Sequence, residues 1–320
     1  MTHRAPSGAD GLPAAAGPDA GGTPKAGFVS LIGRPNAGKS TLLNRLVGSK
    51  LAIVSDKPQT TRTRILGVRN YPGAQVVFLD TPGIHRPLHR MNVRMVDAAV
   101  DTIRSVDVLA LLVDVTEPPG RGDQYVLDLV KDTPVPVFLI LNKIDLVRKS
   151  RLLPIMDRYG REGRFAEIIP LSAATGENVD RLEAAILDRL PAGPPLYPPD
   201  YLTDQPERVL AAEIVREQLL AFTHAEIPFS SAVVIDRFEE PTDAQPILRL
   251  FCSIVVDRES QKPIVLGKGG AMIKRIGTAA RQELERFFGS RVYLDLHVRV
   301  KSEWREDESV LDRLGLGGRG

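Results

Sequence analysis

The sequence predicts two domains in series: an α/β domain on a mixed, mostly parallel sheet, then a smaller α+β domain. Three observations carry this. Residues 27–190 alternate short apolar runs with helical stretches, the pattern of an open α/β sheet. A proline-rich stretch follows, with Pro191, Pro194, Pro195, Pro198, Pro199 and Pro206, and reads as a semi-rigid, extended spacer. Beyond it the order becomes helix, strand, strand, helix, strand, with one sheet face left to solvent. The expected division is a disordered tail over 1–26, the α/β domain over 27–190, a linker over 191–206, the α+β domain over 207–303 and a C-terminal tail over 304–320.

Composition narrows the class. A chain of 320 residues suits about two domains. Hydrophobic residues at 43% and charged residues at 26% are ordinary for a soluble globular protein. The net charge of +2 creates no global field to recruit nucleic acid or acidic lipid. A single cysteine, Cys252, allows no intrachain disulfide and suits a reducing cytoplasm. No apolar run reaches 18 residues, so no spanning helix is expected. The first 26 residues are rich in Gly, Ala and Pro without an apolar core, which does not fit a signal peptide.

The first strand is expected over 27–32, a buried run of Phe28-Val29-Ser30-Leu31-Ile32. It runs into Gly33-Arg34-Pro35-Asn36-Ala37-Gly38-Lys39-Ser40, followed by Thr41 and a helix over 40–47. Gly, four residues, then Gly-Lys-Ser between a strand and a helix is the P-loop pattern. Its glycines let backbone N–H groups curl around an anion, and the helix N-terminus adds partial positive charge. Lys39 can reach the β- and γ-phosphates, and the Ser40 hydroxyl can ligate Mg²⁺.

Further strands are expected over 65–69, 74–79, 108–113, 137–141 and 167–170. Asp80-Thr81-Pro82-Gly83 follows the strand over 74–79. An Asp there can hold the Mg²⁺ hydration shell, and the Gly83 N–H can meet a γ-phosphate. Thr60-Thr61-Arg62 lies in a polar stretch before the strand over 65–69; Thr61, rather than Thr60, is expected to complete the Mg²⁺ sphere. Asn142-Lys143-Ile144-Asp145 follows the strand over 137–141 and selects the base. A carboxylate at Asp145 can accept from N1–H and the exocyclic amine of guanine, donors that adenine lacks in that pattern. Asn142 can bridge to the P-loop, and the Lys143 stem can cover the base. Ser172-Ala173, after the last strand, can support the guanine through backbone N–H groups.

In the second half, a helix is expected over 207–222, strands over 231–238 and 247–256, a helix over 271–288 and a strand over 291–301. In the last strand Val292, Leu294, Leu296, Val298 and Val300 point inward, while Tyr293 and charged or polar residues point outward.

The ordered motifs resemble the translation-factor-related GTPases, and the wider match is to the Era family of bacterial ribosome-assembly GTPases. The resemblance runs from about 27 to about 316. It takes in Gln59-Thr60-Thr61-Arg62, Asp80-Thr81-Pro82-Gly83-Ile84-His85 and the linker from Tyr197-Pro198-Pro199-Asp200 to Arg208. It continues through Glu213-Ile214-Val215-Arg216-Glu217 and Gly267-Lys268-Gly269-Gly270-Ala271-Met272-Ile273-Lys274. The first domain is thus expected to be a P-loop GTPase domain.

Position 84 bears on mechanism. Ras-like enzymes place a water-orienting Gln just after Asp-x-x-Gly, and this chain has Ile84. Hydrolysis is therefore expected to be slow, and to rest on Lys39, Asn36, Thr61 and Gly83. Related GTPases with a hydrophobic residue here can use K⁺ held by the P-loop Asn, which matches Asn36, so the resemblance implies K⁺ as a candidate cofactor. His85 is a weaker candidate base, because catalysis by such enzymes is mostly positioning and electrostatics.

Gly267-Lys268-Gly269-Gly270 fits the GXXG loop of a KH domain, which clamps a single-stranded backbone. Its placement before the helix over 271–288 resembles the prokaryotic, type II arrangement. Lys262, Lys268, Lys274 and Arg275 surround the loop and can neutralise phosphates. Residues 201–320 carry 17 Lys+Arg against 19 Asp+Glu, so binding should rest on a local patch, with a modest salt slope.

The family implies GTP and GDP as ligands, the 3′ end of 16S ribosomal RNA and the 30S subunit as partners, peripheral contact with the inner membrane, and a monomer. Pro263 stands where the family often has Gly, Phe229 where it often has His, and Leu316 where a Tyr is usual. Two rival readings are an RNA-binding adaptor with a degenerate GTPase domain, and a GTPase of tRNA modification or membrane transport. Intact Lys39, Ser40, Asp80 and Asp145 disfavour the first; the second would need a redox-linked segment or membrane spans.

Overall fold

The computed structural model describes residues 23–316, apart from Asp56, Pro58, Gln59, 85–89, Arg104, Gly163 and Arg164. Gln59 and His85 of the expected motifs, and most of the expected N-terminal tail, thus lie outside the described residues.

The first domain is a six-stranded sheet in the order β2-β3-β1-β4-β5-β6. Its strands are β1 (Lys25–Gly33), β2 (Ile65–Tyr71), β3 (Ala74–Asp80), β4 (Val108–Asp114), β5 (Val137–Asn142) and β6 (Glu167–Pro170). β2 runs antiparallel to β3, and every other pairing is parallel. Five helices cover the faces: α1 (Lys39–Val47), α2 (Arg90–Ile103), α3 (Arg121–Val130), α4 (Leu152–Glu162) and α5 (Val179–Arg189). Both faces of the sheet are therefore dry, which is why β4 and β5 are continuous apolar runs rather than alternating ones. One core layer joins α1 and α5 to residues such as Leu31, Phe78 and Ile140; the other joins the remaining helices to Ile32, Leu79 and Leu139. β1 lies between β3 and β4, so the chain order reverses there and the crevice at the strand ends falls above the P-loop.

The proline-rich linker is not a free spacer. Gln75 Oε1 accepts from the N–H groups of Leu196 (2.7 Å) and Tyr197 (2.9 Å), and Gln75 Nε2 donates to Tyr197 O (2.9 Å). Val68 N–H donates to Leu202 O (2.9 Å), and Thr203 Oγ1 donates to Leu66 O (2.6 Å). Tyr197 and Tyr201 stack with centroids 4.7 Å apart. The linker thus closes the open edge of β2, a solution to the exposed-strand problem. Its prolines suit a strap that needs few donors.

The second domain is a three-stranded sheet in the order β7-β8-β9, with β7 (Ser231–Glu239) antiparallel and β9 (Val292–Val300) parallel to β8 (Leu248–Val256). α6 (Glu207–Phe222) and α9 (Ala271–Phe288) cover one face, burying Ile214, Leu219, Ile276, Ala280 and Leu284 against Leu250, Cys252 and Ile254. Short helices α7 (Ile227–Ser230) and α8 (Lys262–Leu266), each with Pro in its first turn, escaped the sequence reading because neither is long enough to show a period.

The segment expected as a C-terminal tail is folded. Trp304 is fully buried, and α10 (Glu308–Arg313) buries Val310 and Leu311. They form one cluster with Ala232, Val234 and Val255 of the sheet and with Met91 and Met95 of α2. This corrects a second expectation as well: the outer face of the β7-β8-β9 sheet is capped at one end rather than wholly open. Leu316 is part of the same cluster.

Candidate nucleotide site and RNA-binding loop

The P-loop leaves β1 at Gly33 and enters α1 through Gly38, whose φ of 94° is left-handed. Lys39 is 5% exposed, and its Nζ donates to Gly33 O (3.2 Å) and Arg34 O (2.9 Å), folding the amine back over the loop. Burial pushes its pKa down to about 8 against the pull of Asp80. Asn36 takes a left-handed φ of 64° and stands exposed at the loop tip, flanked by half-buried Pro35 and buried Ala37. The Arg34 guanidinium turns away to Asp123 of α3 (2.9 Å), so this residue lines the loop with its backbone.

Ser40, Thr61 and Asp80 meet behind the loop. Ser40 Oγ lies 2.7 Å from Thr61 Oγ1, and both hydroxyls donate to Asp80 Oδ2, at 2.8 and 3.2 Å. Asp80 is wholly buried, and its Oδ1 has no hydrogen-bond partner. Burial drives its pKa up, opposed by Lys39 and by the two hydroxyls. An oxygen-only donor set around an unsatisfied carboxylate oxygen fits a hard cation such as Mg²⁺. Thr60 instead donates its hydroxyl to Lys57 O (2.6 Å), which favours Thr61 of the pair.

The Asp80-Thr81-Pro82-Gly83 turn is pinned to the P-loop. Thr81 Oγ1 donates to Leu31 O (2.9 Å), and Ile84 N–H donates to Gly33 O (3.1 Å). A Cβ at Gly83 would stand 2.8 Å from Pro35 Cα, so only Gly permits this approach. Ile84 is 1% exposed and packs in the core.

On the base side, Asn142 is the hub. Its Nδ2 donates to Ala37 O (2.8 Å), and its Oδ1 accepts from Ala173 N–H (2.9 Å). The Ser172 N–H is bonded to Glu177 O (3.0 Å). These two bonds tie the Ser172-Ala173 stretch to Asn142 and to the loop behind it. Lys143 has a left-handed φ of 69° and pairs with Asp114, a partner the sequence did not reveal. Burial pulls the Asp114 carboxyl up, but the bonds from Lys143 and Thr116 outweigh it and hold it below the usual range. Asp145 is exposed in a 3₁₀ turn, Ile144–Leu146, with its carboxylate available to a ligand.

In the second domain, the Gly267–Gly270 loop joins α8 to α9. Gly267, Gly269 and Gly270 have φ of 73°, 59° and 79°, so three left-handed positions bring the chain round within four residues. Lys268 is exposed in the loop, and Lys262 opens α8. Lys274 and Arg275 lie one turn into α9. Arg275 stacks over Phe222 of α6 at 4.2 Å, so it faces a shallow cleft of about 460 Å³ between the two helices rather than the loop itself. Pro263 sits exposed at the start of α8, where its missing N–H costs nothing, and Phe229 is 36% exposed in α7.

A sheet of this order with a P-loop, an oxygen cluster for a cation and a guanine-type Asp, joined to a GXXG domain, defines a P-loop GTPase fused to an RNA-binding KH module. Residues 28–143 match the 50S ribosome-binding GTPase family, and residues 226–305 match the KH domain family. The chain is 48% identical to GTPase Era of Geobacter metallireducens over 91% of its own length and 97% of that protein. It is 49% identical to GTPase Era of Syntrophus aciditrophicus over 91% of its own length and 95% of that protein. A crystal structure of Era in complex with MgGDPNP and nucleotides 1506–1542 of 16S ribosomal RNA superposes with a TM-score of 0.89 at 42% identity, covering 92% of this chain and all of that one. An Aquifex aeolicus Era variant bound to GDP and AlF₄⁻ superposes with a TM-score of 0.88 over the same shares. The chain belongs to the Era family of GTPases.

Proposed function

We propose that this chain is a GTP-hydrolysing switch that binds the 3′ end of 16S ribosomal RNA through its KH domain and acts in assembly of the 30S subunit. The observation that carries it is the match over 92% of the chain, through linker and KH domain, to an Era structure holding both MgGDPNP and 16S RNA. In this reading the P-loop N–H groups and Lys39 hold the phosphates, and Asp145 selects guanine, with Asn142 tying its loop to the P-loop. Ser40 and Thr61 would ligate Mg²⁺, and Asp80 would bind through water. The metal supplies charge neutralisation at the β- and γ-phosphates. Gly83 N–H would read the γ-phosphate.

Chemical footprinting of 30S particles with a non-hydrolysable GTP analogue tests the assignment. Protection at the 3′ end of 16S RNA is expected; protection confined elsewhere would refute it.

Catalysis is slow in this reading, since buried Ile84 cannot polarise water. The exposed Asn36 at the loop tip is a ligand for K⁺ as a source of transition-state charge. Turnover should rise when K⁺ replaces Na⁺; equal rates in the two salts remove K⁺ from the account.

A further inference from the structure

The segment that carries Thr61 is gripped on both sides by the second domain. On one side, Arg216 of α6 donates from Nη2 to the Thr60 carbonyl. Arg216 is only 1% exposed, and Glu213 orients it through bonds to Nε (2.8 Å) and Nη2 (2.6 Å). On the other side, Arg62 reaches into the second domain. Its Nη2 donates to Ser231 O (3.0 Å), and its guanidinium lies 5.4 Å from the centre of the Trp304 ring. Arg62 is 4% exposed, and its Nε and Nη1 have no partner. One residue along α6, Glu217 accepts from Val54 N–H (2.9 Å) and pairs with Lys50 (2.5 Å), fixing the start of the same segment.

Two buried guanidiniums are a costly way to glue domains, because apolar residues of similar volume usually serve as well or better. The polar contacts converge on one stretch of backbone, residues 60–62. Between them Thr61 Oγ1 sits 2.7 Å from Ser40 Oγ. We infer that Arg216, set by Glu213, is a positioning residue for GTP hydrolysis: it fixes the Thr60 carbonyl so that Thr61 is presented to the metal and phosphate site. The second domain is thereby part of the apparatus that orders this segment. The inference rests on the reading of Thr61 as a metal ligand, and its test separates the two.

The test uses the full-length protein with Arg216→Met, which keeps the apolar stem, Arg216→Lys, Glu213→Gln and, as reference, Thr61→Val. Three quantities are measured: steady-state kcat and KM for GTP, the ratio of GDP to GDPNP affinity, and hydrogen exchange over residues 60–64. Arg216→Met should lower kcat by on the order of ten- to a hundredfold, the cost of a misplaced group. GDP affinity should stay within about twofold, because GDP makes no demand on Thr61. The affinity advantage of GDPNP should shrink, and exchange over 60–64 should quicken. Arg216→Lys should recover part of the loss, since one donor can still reach Thr60 O. If Arg216→Met fails to melt cooperatively, Glu213→Gln decides, with a smaller loss of the same kind expected.

An unchanged kcat and affinity ratio, or equal losses of GDP and GDPNP affinity, would overturn the inference. If Thr61→Val is impaired and the Arg216 and Glu213 variants are not, only the inference falls. If Thr61→Val is itself without effect, the reading of Thr61 falls and takes the inference with it.

Discussion

At the scale of single residues, Lys39, Ser40, Thr61, Asp80, Asn142 and Lys143 are each held by a side-chain bond, while Asp145 stands exposed. Asp145 is the simplest to interrogate, because its role is a hydrogen-bond pattern. Asp145→Asn replaces an acceptor by an amide that can donate. GTP affinity should fall by on the order of 10²-fold or more, and xanthosine triphosphate, whose ring carries a carbonyl in place of the amine, should gain. Competition binding with the two nucleotides reads this directly; unchanged preference for GTP would remove Asp145 from base recognition. Ile84 makes the opposite kind of point. The sequence shows that no Gln stands there, but only the structure shows the side chain in the core, where a Gln would be a buried amide in search of partners. Ser172 and Ala173 are legible as neighbours of the site, but two residues do not disclose that the Ala173 N–H ties back to Asn142 and the Ser172 N–H to Glu177 O. The Asp114 carboxylate that pairs with Lys143 left no trace in the sequence, since 29 positions separate the two and the contact exists only through the parallel pairing of β4 and β5.

Among the elements, the expected strands and the helices expected over 40–47, 207–222 and 271–288 agree with the structure within one or two residues, because each has a period or a continuous apolar run of sufficient length; α2 to α5 are expected only as helical stretches between strands. α6 and α9 were read to the residue. The errors share a cause. The linker and the segment after β9 are short, polar and aperiodic, and they become ordered only through partners far away in sequence. Gln75 receives the linker across more than 120 residues. Trp304 donates its indole N–H to Ser230 O (2.9 Å), 74 residues distant, and fills the space between the sheet and α2. The Trp304→Ala protein should lose about 3–5 kcal/mol of stability, the usual cost of deleting a buried Trp. Urea unfolding followed by circular dichroism measures this. A loss under 1 kcal/mol would mean that the segment after β9 is a loose tail after all.

For the whole molecule, the two domains share polar contacts at the segment between α1 and β2, and apolar contacts at α2. These are the stretches on either side of the phosphate end of the site. α6, whose one face holds Thr60 and Val54, packs its other face against α9, and α9 begins at the GXXG loop. A continuous packed path therefore joins the Ser40, Thr61 and Asp80 cluster to the GXXG loop. Among the described residues, no helix is long and apolar enough to cross a membrane. In a switch of the proposed kind, nucleotide state and RNA binding are one equilibrium. A ligand can shift such an equilibrium only by its differential affinity for the two states, and the coupling must be reciprocal. The measurement that tests it most directly is the Kd of a 16S 3′-terminal oligonucleotide, taken at fixed salt with GDPNP and again with GDP. The two values should differ by about fivefold or more, with the oligonucleotide changing the ratio of GDPNP to GDP affinity by the same factor. Equal Kd values in the two nucleotide states would contradict it.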